Sequence, residues 1–189
     1  MLKFLGQAGF MYETNKEILL MDPWMSREGA FDSSWYQFPS NHDLGDQLRE
    51  EIKLSNKEIY IYISHEHKDH FDVPYLKTLD LSKINFITPK FRRDHVASVL
   101  NKLNPKSVTT PIDSEVLNIG NMEIRLFLDD QEIVRDSALG LIDKEKGFTF
   151  LNLNDCKVYD RVNELKDIYK KFDAFTCQFS GAVFHPVCY

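Results

Sequence analysis

No two cysteines of this sequence are spaced as Cys-x-x-Cys, and only three occur in 189 residues: Cys156, Cys177 and Cys188. Their odd number excludes a full set of internal disulfides and fits free thiols in a reducing cytoplasm. Long apolar runs are missing too. Nothing approaches the roughly 18 residues of a membrane span, and the opening Met-Leu-Lys-Phe-Leu-Gly has neither the apolar core nor the cleavage site of a secretory leader. Basic residues are in deficit, 23 against 29 acidic ones, for a net charge of −6. That balance argues against a general nucleic-acid or anionic-membrane binder. There is no repeat at fixed period, no low-complexity segment and no obvious linker.

What remains is an ordinary globular composition, 43% hydrophobic and 28% charged, in a length that suits one domain over residues 1–189 with a sizeable core. Against that background one stretch stands out: Ile63-Ser64-His65-Glu66-His67-Lys68-Asp69-His70-Phe71-Asp72. Three histidines and an aspartate fall within six positions, directly after a β-like apolar run. Imidazole and carboxylate are ligand types that suit zinc and its neighbours. On an extended or turning backbone His65 and His67 project to one side, while Asp69 and His70 can fold back to an adjacent position. One short loop can thus hold parts of two metal sites.

The rest of the chain frames this loop. Phe4 to Glu13 reads as a strand and Glu17 to Met21 as its hairpin partner, ended by Asp22-Pro23-Trp24. Residues 25–43 form a long irregular loop rich in aromatics, the kind that is usually functional. Its rings, with Trp24 and Trp35 as the leading candidates, are suited to lining a substrate mouth. Leu44 to Leu54 has helical periodicity. Glu58 to Ser64 is the strand that delivers the histidines, followed by a short helix from Val73 to Leu81 with Asp72 as N-cap. A strand at Ile84 to Thr88 and a helix from Arg92 to Leu103 come next. Residues 107–155 are mainly β, with a hairpin turn at Lys144-Glu145-Lys146-Gly147. The helix Val162 to Phe172 and the strand Ala174 to Phe179 close the pattern. Strands at both ends, with helices between and after, call for two sheets covered by helices. His42 and His95 match no motif and read as surface residues.

His65-x-His67-x-Asp69-His70 after a strand resembles the signature of the metallo-β-lactamase superfamily. The resemblance implies an α/β fold, a four-layer αββα sandwich with one or two divalent metals at one end of the sheets. Zinc is the leading ion, with iron and manganese as alternatives. In that pattern His65 and His67 ligate one metal and Asp69 and His70 the other. Asp69 also handles a proton during attack by an activated water. Asp155, ending the strand Phe148 to Asn154, matches the bridging carboxylate. Asp22 matches the aspartate that closes the opening hairpin and buttresses a metal ligand from behind. A further histidine is expected between Leu128 and Ser137, where none occurs. Glu132 is the substitute, since a carboxylate replaces imidazole for a harder metal. The last histidine of the pattern is assigned to His185. The family pattern continues with another strand and helix, so truncation at the C-terminus is an alternative to a complete chain.

A narrower resemblance lies in Gly6-Gln7-Ala8-Gly9-Phe10, Asp22-Pro23-Trp24, Tyr62 to His70, Leu151 to Cys156 and Gln178-Phe179-Ser180-Gly181-Ala182. These look like the branch holding lactonase-like proteins and CMP-N-acetylneuraminate hydroxylases. The hydroxylases pair this domain with a Rieske iron–sulfur centre, whose Cys-x-His and Cys-x-x-His pairs are absent from this sequence. The expected function is therefore a cytoplasmic metal-dependent hydrolase that opens a phosphodiester, lactone or amide of a small molecule. The alternatives are the metal-binding domain of a hydroxylase-like oxidoreductase served by a separate Rieske redox partner, and a non-catalytic relative.

Overall fold

In a computed structural model that describes residues 1–131 and 135–178, two sheets face each other and helices cover both outer faces. The first sheet has the order β1 (Leu2–Gly6), β2 (Gly9–Glu13), β3 (Glu17–Met21), β4 (Glu58–Tyr62), β5 (Ile84–Ile87) and β6 (Ser107–Thr109). Its first two pairings are antiparallel and the next three parallel. The second sheet runs β11 (Ala174–Thr176), β10 (Phe148–Asn152), β9 (Arg135–Asp143), β8 (Met122–Asp130) and β7 (Val116–Ile119). It is antiparallel except for the β10–β11 pair.

Side-chain alternation assigns the layers. All five residues of β3 are buried, because both faces of its sheet are covered. Ile18 and Leu20 join Ile59, Ile61 and Phe86 beneath α1 (His42–Leu54), α2 (Val73–Leu76) and α3 (His95–Lys102). Leu19 and Met21 point the other way, into the core between the sheets with Tyr62, Ile124, Leu139, Leu141 and Phe150. Phe127, Ala138 and Leu151 face outward from the second sheet under α4 (Val162–Tyr169), whose Leu165 and Tyr169 close that layer. The result is the expected αββα sandwich. Among the described residues no helix is long and apolar enough to cross a membrane.

Some expected boundaries shift. The strand read from Phe4 to Glu13 is two strands, split at Gly6-Gln7-Ala8-Gly9, where Gly6 (φ 117°) and Gln7 (φ 48°) reverse the chain. The helix expected over Val73 to Leu81 stops at Leu76, and the helix expected from Arg92 starts at His95. The strand expected to reach Phe179 is assigned only over Ala174–Thr176.

This architecture gathers four chain segments at one edge. Asp22 follows β3 and the histidine loop follows β4, its parallel neighbour. Across the sandwich, β9 begins at Arg135 where β10 ends, with Leu139 opposite Asn152.

Close packing of α4 on the second sheet depends on Gly140. A Cβ there would lie 2.0 Å from the Tyr169 hydroxyl oxygen, and Tyr169 is itself buried. Gly140→Val is expected to lower folding stability by about 1–3 kcal/mol through overpacking. Chemical denaturation measures it, and an unchanged midpoint would contradict the close approach.

Candidate metal centre

β4 ends at Tyr62, the Ile63 amide still bonds to the Ile87 carbonyl at 2.9 Å, and Ser64 and His65 follow buried, 0% and 1% exposed. The loop then turns back on itself, with the His70 and Phe71 amides donating to the His67 carbonyl at 3.0 and 2.7 Å. Glu66 and Lys68 face out and are paired, Glu66 with Arg135 and Lys68 with Asp32. His65, Asp69 and His70 are buried, whereas His67 is exposed with Nδ1 turned to His65 Nε2.

Inside, the ligand atoms fall into two neighbouring sets. His65 Nε2 and His67 Nδ1 are 2.9 Å apart, close to the roughly 3.3 Å separating two nitrogens on one tetrahedral zinc-sized ion. His70 Nε2 lies 3.6 Å from Asp69 Oδ2. Asp155 reaches both sets with a single oxygen: its Oδ2 is 4.0 Å from His65 Nε2 and 3.6 Å from His70 Nε2. His65, His67 and Asp155 together offer three ligand atoms within 4.8 Å of one another. Histidine nitrogens and carboxylate oxygens at these spacings fit divalent ions.

Behind the ligands lies a network of buried hydrogen bonds. Asp22 is fully buried and accepts three of them: from the Ser64 amide (2.8 Å), the Ser64 hydroxyl (2.5 Å) and His70 Nδ1 (2.9 Å). With its proton given to Asp22, Ser64 Oγ is left to accept from His65 Nδ1 at 2.9 Å. Asp22 sits at φ 43°, a left-handed conformation that costs an ordinary side chain and that these three bonds over-determine. Ser137 ties in the second sheet. Its hydroxyl donates to the Ser64 carbonyl at 2.8 Å, and its own carbonyl accepts from Asn154 Nδ2 at 3.2 Å, next to Asp155. Asp72 caps α2 through the Tyr75 amide and also accepts from the Met25 and Ser26 amides, pinning the start of the aromatic loop to the end of the histidine loop.

The electrostatics follow from burial and neighbours. Burial opposes charge on His70, but the hydrogen bond and charge of Asp22, aided by Asp69 and Asp155, outweigh it and lift the imidazole to about 9. Burial, then His70 and His67, push His65 far below its ordinary range, so it stays a neutral ligand. Burial and its aspartate neighbours raise Asp155, against the pull of His70 and His67. Asp136, which the sequence reading did not single out, is raised to about 6 by burial and by Asp155. Its Oδ1 lies 3.4 Å from His65 Nδ1. No local motif marks Asp136; the available signal is its place at the start of the strand antiparallel to the one that leads to Asp155.

Other expected residues fall elsewhere. Trp24 is 3% exposed, a core ring whose carbonyl accepts from Gln37 and Asn41, so it does not face a substrate as expected. The chain needs an anchor under the long loop, and Trp24 is that anchor. Trp35 is exposed, and Phe31 links it to the centre, 5.3 Å from Trp35 and 6.1 Å from His67 between ring centroids. His95 is exposed as expected, whereas His42 is half-buried with Nδ1 3.3 Å from the Met25 carbonyl. Glu132 and His185 lie outside the described residues. A cavity of about 320 Å³ borders the outward side of the histidine loop at Glu66 and Lys68.

No family model matches the sequence. A protein of Mycobacterium tuberculosis named for a Rieske 2Fe-2S iron–sulfur group is 30% identical over 98% of this chain and 35% of its own length. The chain thus spans about a third of the curated relatives it matches. Among solved structures, CmlA, a diiron β-hydroxylase from Streptomyces venezuelae, superposes with a TM-score of 0.66 at 16% identity, over 92% of this chain and 33% of that one. A possible metal-dependent hydrolase from Veillonella parvula gives 0.63 at 13% identity, over 89% and 68%. The metallo-β-lactamase fold protein YhfI from Bacillus subtilis gives 0.52 at 13%, over 82% and 58%. The chain therefore has the metallo-β-lactamase fold, shared with hydrolases and with a diiron hydroxylase.

Two outcomes are expected for the ligand set. His67→Ala and Asp155→Ala each lower bound metal strongly by elemental analysis; full stoichiometry in both would refute the site. Because His70 holds a proton up to about pH 9, a cation must displace that proton at neutral pH. Metal affinity should then rise with pH, by up to about tenfold per unit below 9, and level off above it. Chelator competition from pH 7 to 10 checks this, and a flat profile below 9 would contradict it.

Proposed function

We propose that this chain carries the dinuclear metal centre of an oxidative enzyme, a hydroxylase-type oxidoreductase acting on a small molecule. The observation that carries the reading is the Asp155 carboxylate, one oxygen of which faces both histidine sets at 4.0 and 3.6 Å. A carboxylate in that position serves two ions, not one. The donors assigned here, three histidines with Asp69 and Asp155, suit iron and manganese as well as zinc. The Rieske-named relatives and the diiron hydroxylase neighbour support electron transfer as part of the chemistry. With no Rieske ligand pairs in the sequence, the electrons would come from an iron–sulfur group outside it.

In this reading His65 and His67 would hold one ion and Asp69 and His70 the other, with Asp155 within reach of both sets. Bound there, such a pair supplies redox and Lewis-acid chemistry. The protein's own part is binding and orientation. Asp22 keeps the His70 proton on Nδ1, so that Nε2 faces the ion. Asp69 is placed to take or return a proton beside His70. Phe31 lies 6.1 Å from His67 between ring centroids, and Phe31, Trp35, Tyr36 and Phe38 present exposed rings for a planar or apolar part of the substrate.

A second reading is a metal-dependent hydrolase of a phosphodiester, lactone or amide, favoured by the superposition that covers 68% of a possible metal-dependent hydrolase. The same ligands would then activate a water. The two are separated by loading the chain with iron or zinc and measuring dioxygen uptake with a chemical reductant, alongside phosphodiester and lactone hydrolysis. The oxidative reading expects two irons per chain and reductant-dependent dioxygen consumption. Hydrolysis by the zinc form, with no dioxygen uptake by the iron form, would overturn it.

A further inference from the structure

Each metal-ligand set contains one histidine that is almost fully buried, His70 in one and His65 in the other, both 1% exposed. A ligating imidazole needs its second nitrogen protonated and held, so that the ring cannot rotate and the free lone pair faces the ion. For His70 the holder is plain: Asp22 Oδ2 accepts Nδ1–H at 2.9 Å. For His65 the nearest acceptor is Ser64 Oγ at 2.9 Å, a neutral group whose own proton is committed to Asp22. Among the described residues one carboxylate comes within 4.0 Å of His65 Nδ1, Asp22 being reached only through the Ser64 hydroxyl. That carboxylate is Asp136, with Oδ1 3.4 Å from Nδ1 and a side chain 13% exposed.

The surroundings of Asp136 leave it no competing task. Its neighbours in sequence are both turned to the histidine loop: Arg135 pairs with Glu66, and Ser137 donates to the Ser64 carbonyl. These contacts clamp the start of β9 against the loop on either side of Asp136. Arg135 is thereby unavailable to neutralise the carboxylate. Among the described residues Asp136 receives no other ion pair, and a carboxylate mostly removed from water is costly without one.

We propose that Asp136 is the positioning carboxylate of His65: its charge, 3.4 Å from Nδ1, favours the tautomer whose Nδ1–H is accepted by Ser64 Oγ, and so aims Nε2 at the ion held with His67. The assignment rests on the two-metal reading and goes beyond its ligand set. It gives each buried histidine its own aspartate, from β9 for His65 and from the end of β3 for His70. Asp136 is not itself counted as a ligand.

The test uses the full chain and Co²⁺ as probe, with Asp136→Asn, Asp136→Ala and Asp136→Glu. Affinity is read by chelator competition, the ligand field by visible absorption, and the His65 tautomer by ring ¹⁵N shifts. Expected are a loss of affinity of about 10–100-fold at one of two ions in the Ala variant, a smaller loss in the near-isosteric Asn variant, and recovery in the Glu variant. The His65 Nδ1–H signal should weaken in step, while the melting point of the metal-free protein stays near wild type. Should the Ala variant fold poorly, the Asn and Glu variants decide. Wild-type affinity and an unchanged His65 tautomer in both Ala and Asn variants would overturn the assignment of Asp136 while leaving the two-metal reading intact. A wild-type chain that binds no Co²⁺, with Asp69→Ala indistinguishable from it, would overturn both.

Discussion

Asp22 is the point on which the site depends. A carboxylate with no exposure at all is tolerated only if its charge is met by donors, and Asp22 has three: the Ser64 amide, the Ser64 hydroxyl and His70. Those bonds join the end of β3 to the loop after β4, and so turn a sheet edge into a ligand cradle. They also set the protonation pattern. The Ser64 hydroxyl donates to Asp22 and so accepts from His65, while His70 keeps a proton on the nitrogen that faces away from Asp155. One buried charge thus orients two histidines that belong to different ligand sets.

The second sheet completes what the first begins. Its edge brings Asp155 between the two sets and Asp136 behind His65, and Ser137 fastens that edge to the histidine loop and to Asn154. The sandwich is held by apolar burial in three layers, yet at this end the two sheets meet through polar contacts. Polar groups at the rim of a dry core make strong, directional bonds. These contacts hold the histidine loop against the start of β9 and the segment after β10. The aromatic loop, rooted by buried Trp24 and pinned by Asp72, supplies the wall nearest His67.

Much of the fold was readable because its signals are local. A run such as Glu17 to Met21, apolar after its first residue, announces a strand covered on both faces, and the alternation of His65 and His67 follows from the two-residue period of extended chain. The strand boundaries were less legible: the break at Gly6 to Gly9 turns on two positive φ values that the apolar pattern around it hides. Trp24 looked like a mouth residue because it stands at the start of an aromatic loop. It is instead buried, and Gln37 and Asn41, 13 and 17 positions on, fold back to bond its carbonyl.

The sequence by itself determined the ligand chemistry, since three histidines and an aspartate in six positions limit what one loop can do. It also determined the layering, because the 2.0 and 3.6 residue periods of apolar side chains dictate which faces are buried. Only the tertiary structure brought Asp155, named from the resemblance, within reach of both His65 and His70, and placed Asp136 beside His65. Asp155 and Asp136 lie 90 and 71 positions beyond His65, and no periodicity relates them to it. Their approach is set by the packing of one sheet on the other, a long-range constraint that the order of residues along the chain does not display.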